Sequence, residues 1–219
     1  MKYEIILKIK EEVEKQLKAG FLTMIAYSDW VANIVLVPKK DGKVCICVDY
    51  RDLNRANCKD NFPLPYIDTL IDNTASNMFF SFMDGFSGYK QIKMAEEYIV
   101  KTSFTTHWGT YAYDVMPFGL KNADATYQQA IVTLFHNMMH TDIEVYIDDM
   151  IAKSHTSRDN LVDLRKLFKH FIKYRLRLNP YKCVFGASSG KLLGFIQPKR
   201  NRNGLNKSPS HSRHADIAN

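Results

Sequence analysis

Three acidic residues stand where their neighbours offer little water. Asp148 and Asp149 are adjacent, with Val145, Tyr146 and Ile147 before them and Met150 and Ile151 after. Asp84 directly follows the apolar run Phe79-Phe80-Ser81-Phe82-Met83. Carboxylates at the end of an otherwise buried strand or hairpin repel each other and are poorly solvated, and a cation stabilises them. Hard oxygen ligands suit Mg²⁺ or Mn²⁺. Three such acids on neighbouring strand ends could hold two ions roughly 3.5–4 Å apart, the pair that activates a hydroxyl and stabilises a leaving oxygen in phosphoryl transfer. The competing reading of Asp148-Asp149 is a solvated turn. His136 and His140 have an i,i+4 spacing that could bind a metal, but without a third ligand they read as a surface pair. The four cysteines, Cys45, Cys47, Cys58 and Cys183, contain no C-x-x-C pair and read as reduced structural thiols.

The elements that must position these acids follow from periodicity. Glu144–Ile147 and Met150–Lys153 flank Asp148-Asp149 as a tight hairpin with the acids at its tip. Residues 79–83 form a buried strand that ends at Asp84 and is broken by Gly85-Phe86-Ser87-Gly88. Ile6, Ile9, Val13 and Leu17 predict a first helix stopped by Gly20. Residues 33–37 and 44–48 are short apolar runs joined across Asp41-Gly42, a hairpin signal. The stretch 51–65 is polar and Pro-punctuated and reads as a loop, followed by a short helix over 66–73. Residues 100–105 and 111–115 predict a strand pair, and 123–139 a helix. Ser157 is placed to cap a helix with Leu161, Leu164, Phe168 and Ile172 on one face, ended by Asn179-Pro180. Last strands are expected near 183–185 and 192–196. Strands and helices interleave in an α+β manner.

Composition bounds what remains. The chain has 219 residues, 46% of them hydrophobic and 24% charged. That is the balance of a globular chain and excludes a disordered protein, a collagen-like repeat or a bare coiled coil. No apolar run approaches the roughly 20 residues that span a bilayer. No signal-peptide apolar core follows Met1-Lys2-Tyr3-Glu4, so no membrane is expected and a cytoplasmic or nuclear setting is the default. The net charge of +7 hints at a polyanionic partner, but residues 197–219 supply +4 of it. That tail lacks Phe, Trp, Tyr, Val and Met and is expected to be disordered.

Six ordered segments then resemble the reverse transcriptases of gypsy-type long-terminal-repeat retrotransposons, especially plant elements. Tyr146-Ile147-Asp148-Asp149 is similar to the family's Tyr-x-Asp-Asp box. The others are Val37-Pro38-Lys39-Lys40-Asp41-Gly42-Lys43 with Val48-Asp49-Tyr50-Arg51-Asp52-Leu53-Asn54, Asn61-Phe62-Pro63-Leu64-Pro65, Ser81-Phe82-Met83-Asp84-Gly85-Phe86-Ser87-Gly88-Tyr89, Met116-Pro117-Phe118-Gly119-Leu120-Lys121-Asn122-Ala123 and Leu192-Leu193-Gly194-Phe195-Ile196. The resemblance covers roughly 5–196. It implies a right-hand polymerase whose palm is an antiparallel sheet backed by helices. The palm would lie mainly in 66–89 and 116–196 and the fingers mainly in 20–65 and 90–115, with the thumb absent from this chain.

The implied reaction is extension of a primer by dNTPs on an RNA or DNA template, releasing pyrophosphate. By motif, Asp84, Asp148 and Asp149, with the Gly85 backbone, would hold two Mg²⁺ (or Mn²⁺) ions. Lys39 or Lys40 and the backbone of Phe86, Ser87 and Gly88 would meet the triphosphate. Tyr89 would lie under the sugar, and Phe118 and Gly119 would line the nucleotide pocket. Arg51 and Tyr146 would face the nucleic acid, and Leu193-Gly194 would hold the primer end. Lys182 could donate a proton to pyrophosphate. Each has a plainer reading: Tyr89 and Phe118 as core, Lys39 and Lys40 as a solvated hairpin tip, Arg51 as a partner of Asp49 or Asp52.

The chain departs from the family's pattern at Cys45, where an arginine is usual, and at Asp124, where proline or glycine is usual. The tail does not resemble the family's continuation, as expected of a fragment of a decayed or misannotated element. Two rivals therefore stand beside the polymerase: an inactive remnant that binds nucleic acid weakly, and another palm-type enzyme such as a nucleotide cyclase.

Overall fold

The computed structural model describes residues 3–38, 44–188, 191–192 and 195–196. In chain order the elements are α1 (Tyr3–Lys18), β1 (Leu22–Ile25), β2 (Ile34–Pro38), β3 (Val44–Val48), α2 (Arg51–Ala56), α3 (Ile67–Thr74), β4 (Phe79–Asp84), α4 (Glu96–Ile99), β5 (Phe104–Thr106), β6 (Gly109–Tyr113), α5 (Ala123–Leu134), β7 (Ile143–Tyr146), β8 (Asp149–Ser154), α6 (Ser157–Lys173), β9 (Val184–Ala187), β10 (Lys191–Leu192) and β11 (Phe195–Ile196). Among the described residues the named strands pair antiparallel. The architecture is α+β.

Two cores organise the chain. The larger lies between the four-stranded sheet β7-β8-β4-β9 and the helices α5 and α6. Met83, Val145, Met150 and Ala152 from the sheet meet Tyr127, Ile131, Leu164, Leu167 and Phe171 from the helices. The smaller core sits between α1, the sheet β1-β6-β5 and the β2-β3 hairpin. It is built from Ile9, Val13, Leu22, Ile46, Phe104, Tyr111, Tyr113 and Val115. Burying such side chains contributes about 1.5–3 kcal/mol each before the entropy of ordering is subtracted.

One buried ion pair fixes the base of the β7-β8 hairpin. Lys153 Nζ donates to Glu144 Oε1 at 2.7 Å, to the His140 carbonyl at 2.7 Å and to the Asn73 carbonyl at 2.9 Å. The two side chains are 3% and 0% exposed. His140 Nδ1 meets the other Glu144 oxygen at 2.9 Å, so His140 has an acidic partner four residues on.

The structure corrects several sequence expectations. The stretch 51–65 is not all loop, because α2 occupies its start. Its six residues, with Leu53 and Ala56 the apolar ones, are too few to show an apolar periodicity, and hydrogen bonds between Asn54 and the distant residues Gly119 and Lys121 tie it down. The helix at 123 stops at Leu134, so His136 and His140 do not share a helix face. Residues 100–102 form a 3-10 turn, and the strand pair is β5 and β6 with β1 as an unanticipated third member. Thr156, not Ser157, caps α6, its hydroxyl accepting from the Asp159 N–H. The face of α6 toward the sheet is Asn160, Leu164, Leu167 and Phe171, while Leu161, Phe168 and Ile172 are exposed. That helix ends at Lys173, ahead of Asn179-Pro180. The expected disorder of 197–219 lies outside the described residues. No helix among the described residues is long and apolar enough to cross a membrane.

Candidate active site

β4 and β8 pair in register from Phe79↔Ser154 to Asp84↔Asp149. Asp84 and Asp149 are therefore cross-strand partners, a relation that places Cα atoms about 4.5–5.5 Å apart. One step further, the Gly85 N–H donates to the Asp148 carbonyl at 3.2 Å. Asp84 and Asp149 thus stand opposite each other at one end of the larger sheet, with Asp148 next in the turn.

The hairpin tip that presents Asp148 is held under tension. Tyr146↔Asp149 is the last β7-β8 pair, so Ile147 and Asp148 make the turn. Ile147 has φ +52°, a left-handed conformation that costs a β-branched residue about 1–3 kcal/mol. Gln128 of α5 supplies the constraint. Its Oε1 accepts from the Ile147 N–H at 2.6 Å, and its Nε2 donates to the Val145 carbonyl at 3.1 Å. Gln128 is wholly buried. Sequence reasoning missed it, although a glutamine on the apolar stripe Ala123, Tyr127, Ile131 is the available signal.

Glycine at two positions permits the approach. A Cβ on Gly88 would collide with Asp148 Oδ1 and come within 2.9 Å of the Tyr127 ring. A Cβ on Gly85 would meet the Tyr127 hydroxyl at 2.9 Å. Gly88 is required for packing against the acid tip, and Gly85 for packing against Tyr127.

The electrostatics are unbalanced. Burial pushes the Asp148 carboxyl up to about 6, and the charges of Asp84 and Asp149 add to the shift while Lys182 opposes it. Asp149 is raised as well, by burial and by Asp84. Asp148 Oδ1 is buried without a hydrogen-bond partner. The positive charge at hand is Lys182, whose Nζ donates to Asp84 Oδ2 at 2.8 Å. The turn that carries it is anchored to the same strand end, since the Asn179 N–H donates to the Asp84 carbonyl at 2.9 Å. The orphaned oxygen of Asp148 and the raised carboxyls of Asp148 and Asp149 are hard oxygen donors short of positive charge. Among the described residues no group of three or more His, Cys, Asp or Glu is gathered to hold an ion. Repulsion between the acids and the hold of Lys182 on Asp84 both act against such a gathering.

Around this cluster, Tyr89 is buried with its ring edge-on to Phe118 at 4.9 Å and to Tyr127 at 5.4 Å. Phe118 is 55% exposed, so it is not core. Its loop is strapped to α2: Asn54 Nδ2 donates to the Gly119 carbonyl at 2.8 Å and Asn54 Oδ1 accepts from the Lys121 N–H at 2.8 Å. Gly119 takes φ +94° there. Phe86 is exposed and Ser87 is left-handed at φ +50°. Gln91 ties this turn down by donating to the carbonyls of Phe86 and Arg177. Tyr146 is half-buried at the end of β7.

Arg51 lies elsewhere. It lines a 250 Å³ cleft with Trp30, Asn33, Asp49, Arg55 and Lys101, and its guanidinium is bidentate to Asp49, with the shortest contact 2.6 Å. None of the three acids lines that cleft. Lys39, Lys40, Leu193 and Gly194 lie outside the described residues. The four cysteines are free thiols.

Comparison with known proteins bears on this geometry. The family model of reverse transcriptase (RNA-dependent DNA polymerase) matches residues 37–197. The chain is 31% identical over 195 residues to the retrovirus-related Pol polyprotein from transposon 297 of Drosophila melanogaster, covering 87% of this chain and 18% of that protein. It is 33% identical over 197 residues to the corresponding polyprotein from transposon gypsy of the same organism, covering 87% of this chain and 19% of that protein. The chain thus spans less than a fifth of each relative. Among solved structures, it superposes on a foamy viral protease-reverse transcriptase in complex with RNA/DNA hybrid with a TM-score of 0.81 at 22% identity, covering 91% of this chain and 26% of that one. A foamy viral protease-reverse transcriptase in complex with double-stranded DNA gives 0.79 at 24% identity, over 88% of this chain and 33% of that one. These structures share the fold.

Proposed function

The chain belongs to the reverse transcriptase (RNA-dependent DNA polymerase) family, and from that premise we propose that it is the fingers and palm part of a retrotransposon Pol polyprotein that extends a primer 3′ end with dNTPs on an RNA or DNA template, releasing pyrophosphate. The palm would comprise 66–89 and 116–196, and the fingers 20–65 and 90–115. The observation that carries the reading is the cross-strand pairing of Asp84 with Asp149 beside the orphaned oxygen of Asp148.

Asp84, Asp148 and Asp149, with the Gly85 backbone, would hold two divalent ions. When bound, such ions lower the pKa of an attacking hydroxyl and neutralise charge on the transferring phosphoryl group. The protein's own residues do the rest. Gln128 holds the strained tip so that Asp148 keeps its direction. Gly85 and Gly88 let the turn before Tyr89 lie against it. Lys182 holds the Asp84 carboxylate in the metal-free state and has an ammonium proton available near the acids. Tyr89 and Phe118 form the wall where a nucleotide sugar and base would lie. Arg51 would approach the template from the separate cleft, and Tyr146 the primer strand. Lys39, Lys40, Leu193 and Gly194 complete the proposed contacts with triphosphate and primer by motif.

Primer extension on poly(rA)·oligo(dT) with Mg²⁺ tests this. The expected result is dTMP incorporation by the wild type, lowered about a thousandfold in Asp148→Asn, the loss expected for a preorganised electrostatic partner. A soluble wild type without incorporation favours the inactive remnant. Conversion of a nucleoside triphosphate without primer favours a cyclase-like enzyme.

A further inference from the structure

Asp124 stands in the first turn of α5 with its side chain exposed. An acid there is favoured by the helix dipole. Its charge adds to those that raise Asp148. Its carboxylate Oδ1 accepts a hydrogen bond of 2.5 Å from the Tyr89 hydroxyl, in the length range of strong charge-assisted bonds. The Tyr89 ring is otherwise wedged edge-on between Phe118 and Tyr127. Three contacts from two elements therefore fix this phenol, and Asp124 is the one at its polar end.

We propose that Asp124 is a positioning residue for sugar selection: it locks Tyr89 in one orientation. This rests on the polymerase reading above. A ring that cannot swing cannot yield to an extra 2′-hydroxyl, so it rejects ribose more sharply than a mobile ring. The phenol's single proton is committed to Asp124, so it cannot be donated to a sugar hydroxyl. Two variants separate the hydrogen bond from the charge. Asparagine keeps an acceptor oxygen and removes the charge, whereas alanine removes both.

The test uses the full chain with a primer–template and compares dCTP with CTP. In Asp124→Ala the preference for dCTP in kcat/KM falls about tenfold, the scale of one lost charge-assisted hydrogen bond. In Asp124→Asn, which keeps an acceptor oxygen, the preference stays within about twofold of wild type. A nucleotide-independent readout accompanies these: 3-fluorotyrosine at position 89, followed by ¹⁹F NMR. Its resonance shifts and broadens in Asp124→Ala and moves less in Asp124→Asn. An unchanged ¹⁹F resonance in Asp124→Ala overturns the lock. Extension at wild-type discrimination in Asp124→Ala overturns the selection role. If the wild type neither binds dCTP nor extends a primer, the polymerase reading fails and the selection role with it, and the ¹⁹F result still decides whether Asp124 holds Tyr89.

Discussion

The β7-β8 hairpin carries charge at both ends and treats it in opposite ways. At its base, Glu144 and Lys153 are almost fully buried, and every lysine proton has an acceptor. At its tip, Asp148 and Asp149 face Asp84 across the sheet, and a buried oxygen of Asp148 has no partner. The base neutralises its own charge and is finished as a structure. The tip is short of positive charge, with Lys182 reaching one of its three acids. Burial of charge is costly in both places. Where the protein supplies the counter-charge the site is architectural. Where it supplies too little, a cation from outside is the expected complement.

Breaking the base gives the largest effect on stability. Lys153→Met leaves Glu144 charged and buried, and a loss of about 3–5 kcal/mol is expected in chemical denaturation. Adding Glu144→Leu should restore most of it, and a double variant as weak as the single would show that the base is not a self-contained pair. Gln128→Ala comes next. It frees the Ile147 N–H and the strained turn, for an expected loss of about 2 kcal/mol together with faster hydrogen exchange at Ile147.

At the tip the sign reverses. Asp148 has a folded-state pKa raised to about 6, above its ordinary value of 3.8. The folded form takes up that proton first as pH falls. Its contribution to stability therefore rises as pH drops through about 6 and is complete below the unfolded value. At pH 7, without metal, Asp148→Asn should stabilise the chain by about 1 kcal/mol after allowance for solvent screening. Thermal melts of the metal-free variant should lose the gain between pH 7 and pH 5 that the wild type shows.

The same contrast explains what could be read in the sequence. The acids were legible because Asp84 and Asp148-Asp149 interrupt apolar runs, and charge in such a place needs a reason. The strands carrying them were legible from their apolar residues. The base was not, because Glu144, Lys153, His140 and Asn73 converge only through tertiary packing. Gln128 was hidden for the same reason: its partners are backbone groups on another element. The buried face of α6 was misread because two apolar stripes share Leu164, and packing against the sheet chose the one through Leu167 and Phe171. The Asp124–Tyr89 contact joins residues 35 apart, and Asp124 was visible in the sequence only as an oddity.

The proposed function requires the tip to be one shared cation site. Direct Mn²⁺ binding to the full chain tests it, comparing wild type with Asp84→Asn and Asp148→Asn and using Arg51→Ala as a control from the separate cleft. Removing either acid takes away a ligand from the same ions, so both variants should lose affinity together, by about tenfold or more, while Arg51→Ala binds as the wild type does. Wild-type Mn²⁺ affinity in Asp84→Asn would contradict the account.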